Sequence, residues 1–208
     1  MGIVRTVCGD MDSSKMGYTL AHEHVFFSPN GRTVDDGWTI NNFPKSLKMV
    51  QEYKDNGGQT LIDAAWAYEA GRSPTELQAV SKATGVNIIT AVGSMAELSG
   101  DMPKKYYDMS TDEIAEFFVK EIEVGMDGTD IKAGWIKGGA SYMNFTEMEE
   151  RELRAACRAA IRTGVGVHVH TSIGTCWEEM LNVVKDEGLP FKQFCLAHVD
   201  RNPDAWVH

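Results

Sequence analysis

Short runs rich in apolar and β-branched residues alternate with longer amphipathic stretches from about residue 18 to the end of the chain. That alternation is the pattern of a parallel sheet built from βα units. Six strands are expected, over Tyr18–His24, Thr60–Ala65, Val86–Val92, Ile131–Lys137, Val165–His170 and Gln193–His198. The helices between them announce their starts. Ser73-Pro74-Thr75-Glu76 offers a cap, a proline at the first helical position and a glutamate at the third. Ser110 with Glu113, and Thr146 with Glu149, carry the capping-box spacing. Ile114, Phe117, Phe118 and Ile122 then mark one apolar helix face. Gly125 and Gly164 stand where helices stop, and Gly85 precedes a strand. The longest irregular stretches, Phe26–Asn42 and Ser94–Met109, follow the first and third strands, at the strand ends where α/β barrels keep functional loops. No low-complexity stretch or linker divides the chain, so a single domain is expected.

Composition narrows the partners. With 208 residues, 43% hydrophobic, the chain can bury one sizeable core, and a net charge of −10 argues against nucleic acid or an anionic membrane surface. Cys8, Cys157, Cys176 and Cys195 form no Cys-x-x-Cys pair, which suits a reducing cytoplasm. No apolar run reaches the ~20 residues of a membrane helix, and the start has no secretory signal. Met1-Gly2 reads as the approach to a first strand rather than a lipidation signal, and Asn144-Phe145-Thr146 has no meaning as a glycosylation site in a cytoplasmic protein.

The unusual polar residues fall at strand ends: His22 and His24, Lys137, His168 and His170, and His198. Barrel active sites are assembled there from several strands. Side chains alternate along a strand, so His22 and His24 are expected on one face, roughly 6.5 Å apart at Cα, near enough to share one metal. Parity places Lys137 with Trp135 and sets Lys132 on the opposite face. An inward lysine is costly unless paired, deprotonated or modified. A neutral amine can take up carbon dioxide as a carbamate able to bridge two metals; a Schiff-base lysine is the competing reading. His170 is the better ligand of its pair, while His168 lies deeper and is expected to support the ligands or to pack. Cys195 has opposite parity to His198 and is expected to face the helices as a small core residue. Trp66, Tyr68, Met95 and Trp135 near the mouth read equally as packing and as substrate contacts. Ser141 and Ser172 lie near strand ends in no nucleophile-elbow motif.

Taken in order, these segments resemble the phosphotriesterase family of amidohydrolases. Val4-Arg5-Thr6-Val7 through His22-Glu23-His24 is similar to its first strand and His-x-His pair; Thr60-Leu61-Ile62-Asp63 with Gly71-Arg72 is similar to its second strand. Gly134-Trp135-Ile136-Lys137 resembles its carbamylated-lysine strand, and Thr163-Gly164-Val165 through His170-Thr171, with Ala197-His198, the next two ligand strands. The resemblance implies a (β/α)8 TIM barrel of which this chain carries six βα units. It implies His22 and His24 on the more buried of two divalent metals, zinc first, with manganese, cobalt or iron as alternatives. His170 and His198 would hold the more exposed metal, with Lys137 bridging as its carbon dioxide adduct. The implied reaction is hydrolysis of a small-molecule substrate, a lactone or carboxylic ester before a phosphotriester, in a protein compatible with a homodimer. The family completes its site with an aspartate ending an eighth strand, for which these residues offer no counterpart. Asp200 has the parity to approach the site but sits on the loop after strand six. The chain is therefore expected to be the six-unit part of a longer barrel, or a shortened, catalytically silent metal-binding homologue.

Overall fold

The computed structural model describes residues 2–28 and 39–203. In chain order the elements are β1 (Ile3–Thr6), β2 (Gly9–Asp12), β3 (Thr19–Glu23), α1 (Phe43–Asp55), β4 (Thr60–Asp63), α2 (Pro74–Thr84), β5 (Asn87–Ile89), β6 (Ala91–Gly93), α3 (Thr111–Glu123), β7 (Trp135–Ala140), α4 (Glu147–Thr163), β8 (Gly166–Thr171), α5 (Trp177–Glu187) and β9 (Phe194–Ala197). The class is α/β with parallel sheets, as the alternation predicts. Two compact units are distinguished, Met1–Val92 with Lys120–Gly134, and Gly93–Val119 with Trp135–His208.

In the first unit, β1 and β2 form an antiparallel hairpin, and β3-β4-β5 a parallel ladder. Asn42 caps α1 through its side chain, which accepts from the Lys45 amide, and Pro44 occupies its first turn. Ser73 precedes α2 without making the expected side-chain cap bond; Pro74 at the helix start and left-handed Gly85 at its end set the boundaries. Leu77, Val80, Ile88 and Ile122 are fully buried between these elements. Arg72 is buried with them, donating to Glu121 (2.8 Å), to Asp127 (2.7 Å) and to the carbonyls of Trp66 (3.0 Å) and Ala91 (3.1 Å). Such a cation is tolerated in a core because each face of its guanidinium fork has an acceptor.

In the second unit, β7-β8-β9 form a parallel ladder whose register pairs Lys137 with His168, Gly139 with His170, and His168 with Cys195. The backbone following Gly93 runs beside β7, Ser94 N–H donating to the Lys137 carbonyl at 3.0 Å. α4 begins with the expected capping box of Thr146 and Glu149 and ends at left-handed Gly164. Ser110 and Glu113 make the same reciprocal bonds at the start of α3.

Three differences from the expected strand boundaries stand out. Residues 86–92 divide into β5 and β6. The strand expected over 131–137 begins four residues later, so Lys137 lies within β7 instead of ending it. Gly134 prevents an earlier start for steric reasons: a Cβ there would stand 2.4 Å from the Arg5 carbonyl, and its amide donates to Thr90. His198 lies just past β9, in the left-handed region at φ 66°. Of the two long irregular stretches, residues 94–109 contain single 3-10 turns at Glu97–Ser99 and Lys104–Asp108, while most of 26–42 lies outside the described residues. Among the described residues no helix is long and apolar enough to cross a membrane.

Candidate active site

The first unit presents His22 and His24 with ring centroids 5.8 Å apart and nearly edge-on. Strict alternation does not place them. Leu20 pairs with Leu61 and Glu23 with Asp63, so three steps along β3 match two along β4, and an extra residue is accommodated at Ala21–His22. That is a bulge, which re-aims side chains at a strand end. His24 follows the strand and packs its ring 4.3 Å from Phe27, which in turn meets Trp66 edge-on. Trp66 is buried, 2% exposed, whereas Tyr68 stands 79% exposed.

Asp63, fully buried at the end of β4, is a residue the sequence reading passed over. Its carboxylate accepts the amides of Val25 (2.7 Å) and Ala65 (3.1 Å). Burial pushes this carboxyl up to about 7, against the pull of those amides and of Arg72. The signal available in the sequence was an acidic residue closing the otherwise apolar run Thr60-Leu61-Ile62.

The second unit presents Lys137, Trp135, His168, His170 and His198. Lys137 is 1% exposed; its amine donates to the Gly138 carbonyl at 2.9 Å and lies 3.9 Å from the Met95 sulfur. Burial pulls its ammonium down to about 7, with Glu152 opposing. Glu152, on α4 and equally buried, is pushed up to about 8 by the same desolvation. The pair thus favours a neutral amine beside a neutral acid over two charges in a dry core. Trp135 is buried against His168, centroids 5.1 Å apart. His170 and His198 meet at 4.8 Å. Burial, reinforced by Lys137 and His198, lowers His168 to about 4 and His170 to about 3, and burial also lowers His198, so these imidazoles are held neutral, with lone pairs available. Asp200 is exposed in the turn after His198, whose charged form it favours.

Cys195 corrects the parity argument. It is exposed and is the register partner of His168 instead of lying among core residues. Strand parity does not relate Cys195 to His198, because His198 lies beyond the ladder at a left-handed turn. The serine hydroxyls are engaged structurally: Ser141 donates to Glu149 at 2.5 Å and Ser172 to the Ala140 carbonyl at 2.8 Å. Glu149 Oε1 also takes the amides of Glu97 and Ser141, and Oε2 that of Thr146, joining two loops to the start of α4. Among the described residues no three His, Cys, Asp or Glu side chains gather as an ion-binding group by themselves.

Comparison with known proteins agrees with this architecture. Residues 2–206 match the model of the phosphotriesterase family, and the chain belongs to that family. It is 29% identical over 220 residues to a phospho-furanose lactonase of Mycoplasmopsis agalactiae, covering 99% of this chain and 62% of that protein. It is 29% identical over 191 residues to the phosphotriesterase homology protein of Escherichia coli, covering 91% and 64%. The crystal structure of a lactonase from Listeria monocytogenes superposes with a TM-score of 0.91 at 31% identity, covering all of this chain and 68% of that one. The chain thus spans less than two thirds of the length of these two curated relatives.

Proposed function

We propose that this chain carries the ligand set of a metal-dependent hydrolase that opens a lactone or carboxylic ester with water, within a (β/α)8 barrel. The observation that carries the reading is Lys137, a fully buried lysine whose ammonium is pulled down to about 7, in a chain that belongs to the phosphotriesterase family. A carbamate forms only from a neutral amine, and burial supplies that state near neutral pH without an external base. His22 and His24 would hold one divalent ion and His170 and His198 a second, with carbon dioxide-modified Lys137 as a further ligand. Imidazole and carbamate donors suit zinc, manganese, cobalt and iron alike. When bound, such ions supply Lewis acidity and lower the pKa of water.

The chain's own groups then have defined tasks. Neutral His168 and His170 keep their lone pairs available without first losing a proton. Trp135 packs against His168 on the face that buries Lys137. The Ser141 and Ser172 hydroxyls hold structural positions, bonded to Glu149 and to the Ala140 carbonyl, and attack is assigned to water.

The substrate reading, a lactone before a phosphotriester, rests on the names of the lactonases to which the chain is similar. Metal-supplemented protein assayed against γ- and δ-lactones, sugar lactones and an activated phosphotriester tests it. Lactone turnover abolished by chelation supports the proposal. Turnover of the phosphotriester alone would overturn the substrate class, and two bound metals with no turnover would make the chain a catalytically silent homologue.

A further inference from the structure

The bulge in β3 shifts the register with β4 between Leu20 and Glu23, so the ladder does not run evenly through the segment that carries His22 and His24. The residue after His24 is instead held from both sides by side chains. Val25 N–H donates to the Asp63 carboxylate at 2.7 Å, and the Val25 carbonyl accepts the Ser46 hydroxyl of α1, also at 2.7 Å. Asp63 and Ser46 show no exposure at all, and Val25 is 2% exposed. The second Asp63 oxygen takes Ala65 N–H, and Ala64 N–H donates to the Glu23 carbonyl at 2.7 Å, so the ends of β3 and β4 are bound together around His24.

We infer that Asp63 and Ser46 are a positioning pair that aims the His22-Glu23-His24 segment, an inference that rests on the reading of those histidines as metal ligands. A bulged strand can relax by shifting its extra residue along the ladder, and a one-residue slip reverses which face a side chain meets. Two buried hydrogen bonds to one residue, from separate elements, oppose that slip at the point where the imidazoles leave the strand. A carboxylate suits the task because both of its oxygens accept backbone amides; an asparagine would set an NH2 group against one of them.

The test uses the 208-residue chain, its Asp63→Asn, Ser46→Ala and Ser46→Thr variants, and cobalt(II) as the probe. Binding is read from the visible d–d absorption, stoichiometry from elemental analysis, and the His22 and His24 tautomers from the long-range proton–nitrogen NMR spectrum; thermal melts monitor the fold. Asp63→Asn and Ser46→Ala are expected to weaken cobalt binding by about 10- to 100-fold, the range typical of groups that orient ligands. Their d–d bands should alter, and Ser46→Thr, which keeps the hydroxyl, should restore binding. Should Asp63→Asn not fold, the Ser46 pair carries the comparison. Folded Ser46→Ala binding cobalt with parental affinity and spectrum would overturn the positioning role while leaving the ligand assignment standing. Failure of the parent chain itself to bind cobalt would overturn both.

Discussion

Lys137 on β7 and His168 on β8 are register partners in a parallel ladder, which sets an amine and an imidazole side by side on one face of the sheet. Burial is the first cause that keeps the imidazole neutral, and any positive charge on Lys137 would add to it. Lys137→Ala should cut bound metal and lactone turnover by at least about 100-fold. Added short carboxylic acids should return part of both by standing in for the carbamate. Equal metal content in parent and variant would show that Lys137 is not a ligand.

A second prediction concerns pH. Glu187 on α5 accepts from Arg158 (2.8 Å) and Arg154 (3.1 Å) on α4, and these bonds, Arg158 foremost, hold its carboxyl below the usual 4.5. A depressed acid contributes stability that is present above its unfolded pKa and lost as pH falls through the lower folded value. Glu187→Gln should therefore cost about 1–2 kcal/mol at pH 7. The gap from the parent should narrow below about pH 4, as the unfolded carboxyl and then the folded one take up protons. Urea titrations at pH 7 and pH 3.5 decide it; an equal gap at both would mean that the arginine bonds are not responsible.

Glu149 gathers donors from Glu97, Ser141 and Thr146 at one buried carboxylate. Glu149→Ala should strand those amides in a dry site and destabilise the protein by about 2–4 kcal/mol. Thr146→Ala, which removes only the cap, should cost about 1 kcal/mol. Chemical denaturation of the two variants gives the ratio, and similar losses would mean that the loop bonds to Glu149 carry little.

Gly93 and Gly85 make a matched pair. Both have positive φ, but a Cβ on Gly93 would lie 1.8 Å from the Lys137 carbonyl oxygen, while one on Gly85 meets nothing within 4 Å. Gly85→Ala should cost about 1 kcal/mol, the left-handed penalty alone. Gly93→Ala must also displace the backbone of β7 and should cost more than about 3 kcal/mol, with reduced metal binding as Lys137 shifts. Comparable melting temperatures for the two variants would contradict the close approach.

Much of this was legible in the chain. Capping boxes at Ser110 and Thr146 and the stop at Gly164 depend on neighbours three or four residues away, and local spacing reveals them. The histidines and Lys137 were visible because such groups have no structural reason to end apolar runs. What escaped depended on distant partners. The late start of β7 follows from the crowding of Gly134 by the Arg5 carbonyl, and the bulge at Ala21–His22 follows from pairing with β4. Asp63 and Ser46 acquire meaning only once both meet Val25. The misreading of Cys195 has the same origin, because strict alternation cannot foresee where a strand gives way to a turn.

The left-handed backbone of His198 separates two properties that most residues carry together. Its turn is closed by its own carbonyl, which accepts Arg201 N–H at 3.1 Å, and by Asn202, whose side chain donates to the Gly174 carbonyl at 2.9 Å. Asparagine adopts this conformation at little cost, whereas a β-branched residue does not. At this position the chemistry of the ring can therefore be altered without the shape of the chain: asparagine removes the imidazole and spares the turn, whereas valine removes both.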